Sequence, residues 1–379
     1  MLGQVQAMGL ATSLGPLVPA SAAFRAGVAR PSPAPDFENF VQGEEEPSTV
    51  AIHALPVATF GFSGVGRLIA LLTEALTDFS SREDLGALGA ETGLYVALPD
   101  PEERGFTTGK DAFQEDPETP RERVDALGAR VVQAAFKVLS VDWKGQAPRF
   151  FHGGNAAFAL ALMAAGEALR GRQLRSALIC AVDTLASPAT LRLLHDGGRL
   201  KTHDNPTGIT PGETAVAMLL TAPRRGSTGE QKERPVFLRA VSLGKDARKP
   251  EGDSPTDARP LAQCILSALG PQEASTRPPV LLTDHDGQHH RAHEWGMLQL
   301  QLADRDPRLG TCPAWMPAVS FGHTGAASGG LGAAMAYRAL QRGYAPGPSL
   351  LVLSSSDTGE RTAIHLSSEA GGTSSQRVP

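Results

Sequence analysis

The sequence predicts an α/β protein built from two similar halves, roughly residues 1–225 and 235–366, with a disordered tail over 367–379. Three observations carry that expectation. Continuous apolar runs such as Ala177–Val182, Ala215–Leu220 and Val280–Thr283 read as strands covered on both faces. Helical periodicities alternate with them, the rhythm of layered α/β proteins. Two segments, Asn155–Leu169 and Gly329–Leu340, are almost entirely small or apolar, the pattern of a helix enclosed on all sides. Each half holds one such helix among its strands, so an internal duplication is expected, although no sequence identity between the halves is visible.

In chain order, Val5–Leu10 reads as a strand and Ser21–Ala29 as a short helix. Residues 30–50 are Pro-rich and acidic and read as an exposed loop. Gly66–Asp78 carries Leu68, Ile69, Leu71, Leu72, Ala75 and Leu76, a helix with one broad buried face. Leu94–Leu98 is a strand, 100–120 a polar loop, and Arg121–Leu139 a helix. Beyond the first enclosed helix, strands are expected at Ala177–Val182, Ala215–Leu220, Val236–Val241, Val280–Thr283, Leu350–Ser354 and Ala363–Leu366. Segments 223–235 and 244–260 read as charged loops.

Composition narrows the function classes. Of 379 residues 41% are hydrophobic, enough for a large core. The formal net charge of -5 provides no basic footprint for nucleic acid and no polybasic membrane patch. Aromatic residues make up 5%, which disfavours a base-stacking surface. The three cysteines, Cys180, Cys264 and Cys312, have no CxxC spacing, and their odd number points to a reducing compartment. Ala7–Ala23 is apolar, but no Lys or Arg precedes Arg25 and Gly and Pro interrupt it, so it reads as a first strand rather than a leader. No uninterrupted apolar run is long enough to span a bilayer, and a cytoplasmic location is expected.

Four short segments carry the functional reading: Ala7-Met-Gly-Leu-Ala-Thr-Ser-Leu-Gly15; His152-Gly-Gly-Asn-Ala-Ala-Phe-Ala-Leu-Ala-Leu162 running on to Gly166-Glu-Ala-Leu-Arg-Gly171; Ala181-Val-Asp-Thr-Leu-Ala-Ser-Pro188 with Pro211-Gly-Glu-Thr-Ala-Val216; and Phe321-Gly-His-Thr-Gly-Ala-Ala-Ser-Gly329. In this order they resemble the β-ketoacyl synthases of the thiolase superfamily. The matched family segments are the first strand and turn, the Asp-Thr-Ala-Cys-Ser-Ser-Ser-Leu nucleophile segment, the strand and Gly-Glu-Gly-Ala turn after it, and Ile-Gly-His-Thr-x-Ala-Ala-x-Gly. The resemblance implies a five-layered α/β/α/β/α fold from two pseudo-duplicated halves. It also implies a homodimer or a heterodimer with an active ketosynthase, contact with an acyl carrier protein, and no cofactor or metal. Stand-alone proteins of this kind are associated with type VI secretion, which adds a secretion-system component as an expected partner class that no residue here carries.

The family's chemistry uses a thiolate at the start of the buried helix, where the helix N-terminus lowers the thiol pKa and backbone N–H groups stabilise an oxyanion. Here that position holds Asn155. A carboxamide is not a competent nucleophile near neutral pH, so Asn155 is either a helix cap, for which Asn is well suited, or a catalytic amide. His323 matches the family's second histidine and is equally readable as a histidine held by backbone bonds in a Gly-rich loop. The family's supporting lysine falls on Ala318. His285 could be the first histidine, but the Gly-Thr-Gly-Thr turn is missing and Asp284-His-Asp-Gly287 also reads as a plain turn after a strand.

The cluster Asp284, His285, Asp286, His289, His290 and His293 raises a metal site, with His289 and His293 one helical turn apart. Arg291 in its midst argues against a cation. Gly61-Phe-Ser-Gly-Val-Gly66 lacks the Lys-Ser/Thr of a phosphate loop. Two function classes follow: a non-condensing binding, scaffold or adaptor protein, and a protein with residual acyl chemistry as malonyl decarboxylase, chain-length partner or acyltransferase.

Overall fold

The computed structural model describes residues 1–40, 45–106, 119–222, 233–248, 255–273 and 278–368. The first half contains β1 (Gly3–Thr12), α1 (Leu17–Arg25), a hairpin of β2 (Ser32–Asn39) and β3 (Ser48–Ile52), α2 (Pro56–Thr59), α3 (Gly64–Ser80), β4 (Thr92–Ala97), α4 (Pro120–Val138), β5 (Arg149–Phe151), α5 (Ala157–Arg170), β6 (Ser176–Thr184), α6 (Pro188–Asp196) and β7 (Glu213–Thr221). The second contains β8 (Val236–Lys245), α7 (Arg259–Glu273), β9 (Val280–Thr283), α8 (His289–Arg305), β10 (Ala314–Trp315), α9 (Ala318–Phe321), α10 (Ser328–Arg342), β11 (Ser349–Ser355) and β12 (Glu360–Ser367).

The two halves repeat one topology. The first sheet runs β5-β4-β6-β7-β1 and the second β10-β9-β11-β12-β8. In each, the third, second and fourth strands in chain order are parallel, and the fifth lies antiparallel between the fourth and the first. A short antiparallel pairing of Gly3–Val5 with Val236–Leu238 joins the sheets. Helices α5 and α10 pack against each other and against strands of both sheets. Outside, α3 and α4 cover the first sheet, and α7 and α8 the second. These are the five layers that the resemblance implies.

Local chemistry accounts for the elements. Helix α4 begins with a reciprocal capping box, Thr119 accepting from the Glu122 N–H and Glu122 from the Thr119 N–H. Helix α5 buries Ala157, Phe158, Ala161, Leu162 and Ala165, and α10 buries nearly every residue from Gly329 to Tyr337. A helix so poor in polar groups is stable only between two sheets.

Several expectations change. Ser32–Asn39 and Ser48–Ile52 pair as antiparallel strands where a loop was expected, because Ala34, Val50 and Ile52 pack on Leu185, Leu191, Leu194 and Ile209, and Pro33 and Pro35 sit on this two-stranded ribbon. The first helix starts four residues earlier than expected, at Leu17. Part of 244–260 is structured, since β8 runs to Lys245 and α7 starts at Arg259. Ser367 closes β12, and the rest of the expected tail, 369–379, lies outside the described residues, as do 41–44, 107–118, 223–232 and 249–254 of the expected loops. Among the described residues no helix is long and apolar enough to cross a membrane.

Candidate active site

By its place in the repeated topology, ahead of the central helix of its half, His152-Gly-Gly-Asn-Ala-Ala157 corresponds to His323-Thr-Gly-Ala-Ala-Ser328. Each segment forms one 3-10 turn, Gly154–Ala156 and Gly325–Ala327, that runs directly into a central helix. The shared glycines have matching left-handed backbones, φ 52° at Gly154 and 49° at Gly325. A Cβ would lie 2.7 Å from Ser356 Oγ at the first and 2.0 Å from Asp183 Oδ2 at the second. Only glycine meets both demands.

Each turn is met by an acid from the opposite half. Asp183, at the end of β6, accepts a bond of 2.8 Å from the Ala326 N–H and pairs with Arg104 through Nε at 2.9 Å and Nη2 at 2.7 Å. Asp284, directly after β9, accepts from Asn155 Nδ2 at 2.7 Å and from the Ser355 N–H at 2.8 Å. Asn155 is buried, and the Asp284 side chain is 8% exposed. Burial pushes the Asp284 carboxyl above its usual range, against the pull of Arg291 3.8 Å away and of the two donated bonds. Arg291 also donates to the Ser355 carbonyl and reaches Asp357 Oδ1 at 2.9 Å, while Arg199 meets Asp357 Oδ2 at 2.6 Å. Burial alone would raise the Asp357 carboxyl, but the two guanidiniums bring it down to about 2.

His323 Nδ1 lies 2.7 Å from Asp286 Oδ2. Asp286 is held in turn by the Gln288 N–H at 3.1 Å and Gln288 Nε2 at 2.8 Å. Burial works to raise the Asp286 carboxyl, and the bond and charge of His323, with Arg291, hold it well below the usual range. His323 itself is placed by backbone: its N–H donates to the Thr210 carbonyl and its carbonyl accepts from Gly212.

The structure therefore brings Asp284, not His285, to Asn155. His285 folds onto its own turn, its N–H bonded to Thr283 Oγ1 and its Nδ1 accepting from Gly287 N at 3.2 Å. One residue of phase at the end of β9 decides this: the position after Thr283 faces the helix turn, and the next one turns away. The His- and Asp-rich run of the sequence does not gather into one cluster. His293 Nε2 lies 3.1 Å from the Thr256 carbonyl, His290 sits 3.9 Å from Asp357, and Asp284 and Asp286 have the partners named above. Among the described residues no group of three or more His, Cys, Asp or Glu is placed to hold a metal. The sequence reading missed Asp284 and Asp286 as partners of Asn155 and His323, taking them for a turn or metal ligands. The available signal was the matching Asp at the end of β6, Asp183, which precedes the same kind of contact.

Space and reactivity agree with this geometry. The cavity lined by Asp284, Ala318, His323, Thr324 and Ser328 measures about 20 Å³, room for one water molecule. Ala318, where a lysine was expected from the resemblance, lines it without charge. Cys180 lies in β6, buried, its thiol pushed up to about 12 by burial; Cys264 and Cys312 are pushed to about 11, chiefly by the same cause. None of the three thiols is primed to ionise.

No family profile matches the chain, and no curated protein sequence matches it. Solved structures do. The chain is similar to the ketosynthase from module 6 of the bacillaene synthase from Bacillus subtilis 168, with 13% identity and a TM-score of 0.67 over 97% of this chain and 72% of that one. It is also similar to a ketosynthase in complex with its chain length factor from Xenorhabdus doucetiae, with 14% identity and a TM-score of 0.65 over 96% and 98%. A third similar structure is a type II PKS acyl-carrier protein in complex with its ketosynthase, with 14% identity and a TM-score of 0.69 over 96% and 98%. The chain has the thiolase-like fold of these ketosynthases.

Proposed function

We propose that this chain is a non-condensing protein of the ketosynthase fold, acting as a binding or scaffold partner and not as an acyl transferase. The Asn155–Asp284 contact carries the reading. Where the fold's condensing chemistry requires a thiolate, a carboxamide is committed at 2.7 Å to a buried carboxylate supplied by the other half. An amide does not form an acyl-enzyme, and the cavity beside Asp284 and His323 has room for a water molecule but not for an acyl chain. Residual decarboxylation would need two histidines converging on Asn155. His323 lines the cavity beside Asp284 with Nδ1 bonded to Asp286, but His285 is tied to its own turn, so the second histidine is lacking, which speaks against that reading.

The expected partners are a second copy or an active ketosynthase, with an acyl carrier protein as a further candidate. The similar structures in which a ketosynthase stands with its chain length factor, or with an acyl-carrier protein, support that choice. No observation of the fold or its neighbours supports a secretion-system partner. The test incubates the purified chain with malonyl- and acyl-carrier thioesters, alone and with a ketosynthase. The reading expects no condensation and no carbon dioxide from the chain alone, and co-elution with itself or the ketosynthase on size-exclusion chromatography. Carbon dioxide release that disappears in His323→Ala would overturn it.

A further inference from the structure

We propose that the pocket between α1 and the C-terminal end of α10 binds a small molecule through a phosphate group. The pocket measures about 430 Å³ and is lined by Val18, Ser21, Arg25, Arg338, Arg342 and Tyr344 among others. That volume suits a small organic ligand. Asn155 and His323 lie by the N-terminal end of α10, so the pocket is ~20 Å from them along a fifteen-residue helix. It shares no residue with the site above and does not depend on the function proposed for it.

The charge balance of the pocket points to an anion. Arg342 Nη1 lies 3.1 Å from Glu233 Oε1, and Arg338 Nη1 lies 3.8 Å from the same oxygen while donating to Gln341 Oε1 at 2.6 Å. The Arg25 guanidinium lies over the Tyr344 ring, 4.7 Å from its centre, and among the described residues no carboxylate pairs with it. Two of the three guanidiniums thus share one carboxylate, 42% exposed, and the third has none among the described residues. The Arg338 side chain is 12% exposed, and its Nε is enclosed without a hydrogen-bond partner. An enclosed charged donor left unpaired is costly, and an acceptor brought to the Arg338 guanidinium would relieve that cost.

Helix electrostatics explains only part of this. Arg25 and Arg342 stand in the last turns of α1 and α10, where the macrodipole favours a cation. It does not account for the enclosed Nε of Arg338 or for three arginines lining one pocket. Phosphate matches guanidinium forks in geometry and offers oxygens for several at once. Val18 and the Tyr344 ring form an apolar wall beside the arginines, room for an organic body attached to the phosphate.

Isothermal titration of the full chain at low ionic strength with inorganic phosphate, AMP and adenosine tests this. Saturable binding of AMP and phosphate but not adenosine is expected. Tighter binding of AMP than of phosphate would assign the site to an organic phosphate, and equal binding to the phosphate group alone. Arg25→Gln and Arg342→Gln, both at exposed positions, should each weaken binding about tenfold or more with an unchanged thermal midpoint. The proposal is overturned if neither anion binds saturably, if adenosine binds as well as AMP, or if binding survives in the double variant.

Discussion

The Asn155 carboxamide and the Asp284 carboxylate meet across the two halves of the fold, Nδ2 to Oδ2 at 2.7 Å. The contact closes the first half's central-helix turn with an acid from the second half. Asp183 and the Ala326 N–H do the reverse at 2.8 Å. What could be a nucleophile and its surroundings is thereby one of two matching clasps between the halves.

If the clasp is structural, Asn155 and Asp284 are energetically coupled. Asn155→Ala should cost about 1–3 kcal/mol. Asp284→Ala should cost about 3 kcal/mol, since it also strips Arg291 and the Ser355 N–H of an acceptor. A double-mutant cycle by urea denaturation should give a coupling near 1 kcal/mol. Strict additivity would mean that the two side chains do not support each other.

Gly325→Ala should destabilise the second clasp. The substitution puts a Cβ 2.0 Å from Asp183 Oδ2 at a residue with φ 49°. A loss of about 3 kcal/mol is expected, read as a lower denaturation midpoint at unchanged slope. A change within experimental error would show that the turn has slack.

His53 gives the fold a pH dependence. It is 3% exposed, its Nδ1 has no partner, and burial brings its pKa from 6.5 to about 4. The folded value lies below the unfolded one, so the stability held with neutral His53 is complete above pH 6.5. It is lost as pH falls from there toward about 4, by an amount of order 3 kcal/mol. Stability measured from pH 7.5 to 4.5 should fall in wild type and fall less in His53→Gln. Parallel curves for the two proteins would rule His53 out as the source.

Arg361 and Glu294 form an ion pair at 2.5 Å with side chains 6% and 5% exposed. Glu294→Ala leaves a buried guanidinium bonded only to carbonyls, those of Ser356 and Glu360. It should cost about 3–5 kcal/mol. Replacing both with Leu and Met should cost much less. A double replacement as damaging as the single one would show that packing, and not uncompensated charge, sets the loss.

Long apolar periodicities carried most of the fold into the sequence. Val280–Thr283 was delimited to the residue, and both central helices were recognisable because enclosure on all sides leaves no polar face. Strands β5 and β10 span three and two residues, too short for any pattern to register. Helix α8 hides because Arg291 and Glu294 sit on its buried face beside Leu298 and Leu302. Helix α7 shows only in the spacing Leu261, Ala262, Ile265, Ala268, Leu269, which its charged flank obscures. In the site, the amide at Asn155 could be read from the resemblance. Asp284 could not be, because choosing between Asp284 and His285 needs the phase at the end of β9, which only the folded sheet fixes.

The central claim is that no nucleophile operates at Asn155. Intact-mass spectrometry of the purified chain after incubation with acyl-carrier and malonyl-carrier thioesters tests it most directly. An unchanged protein mass, with the thioesters recovered intact, is the predicted result. A covalent acyl adduct on the chain would contradict the account.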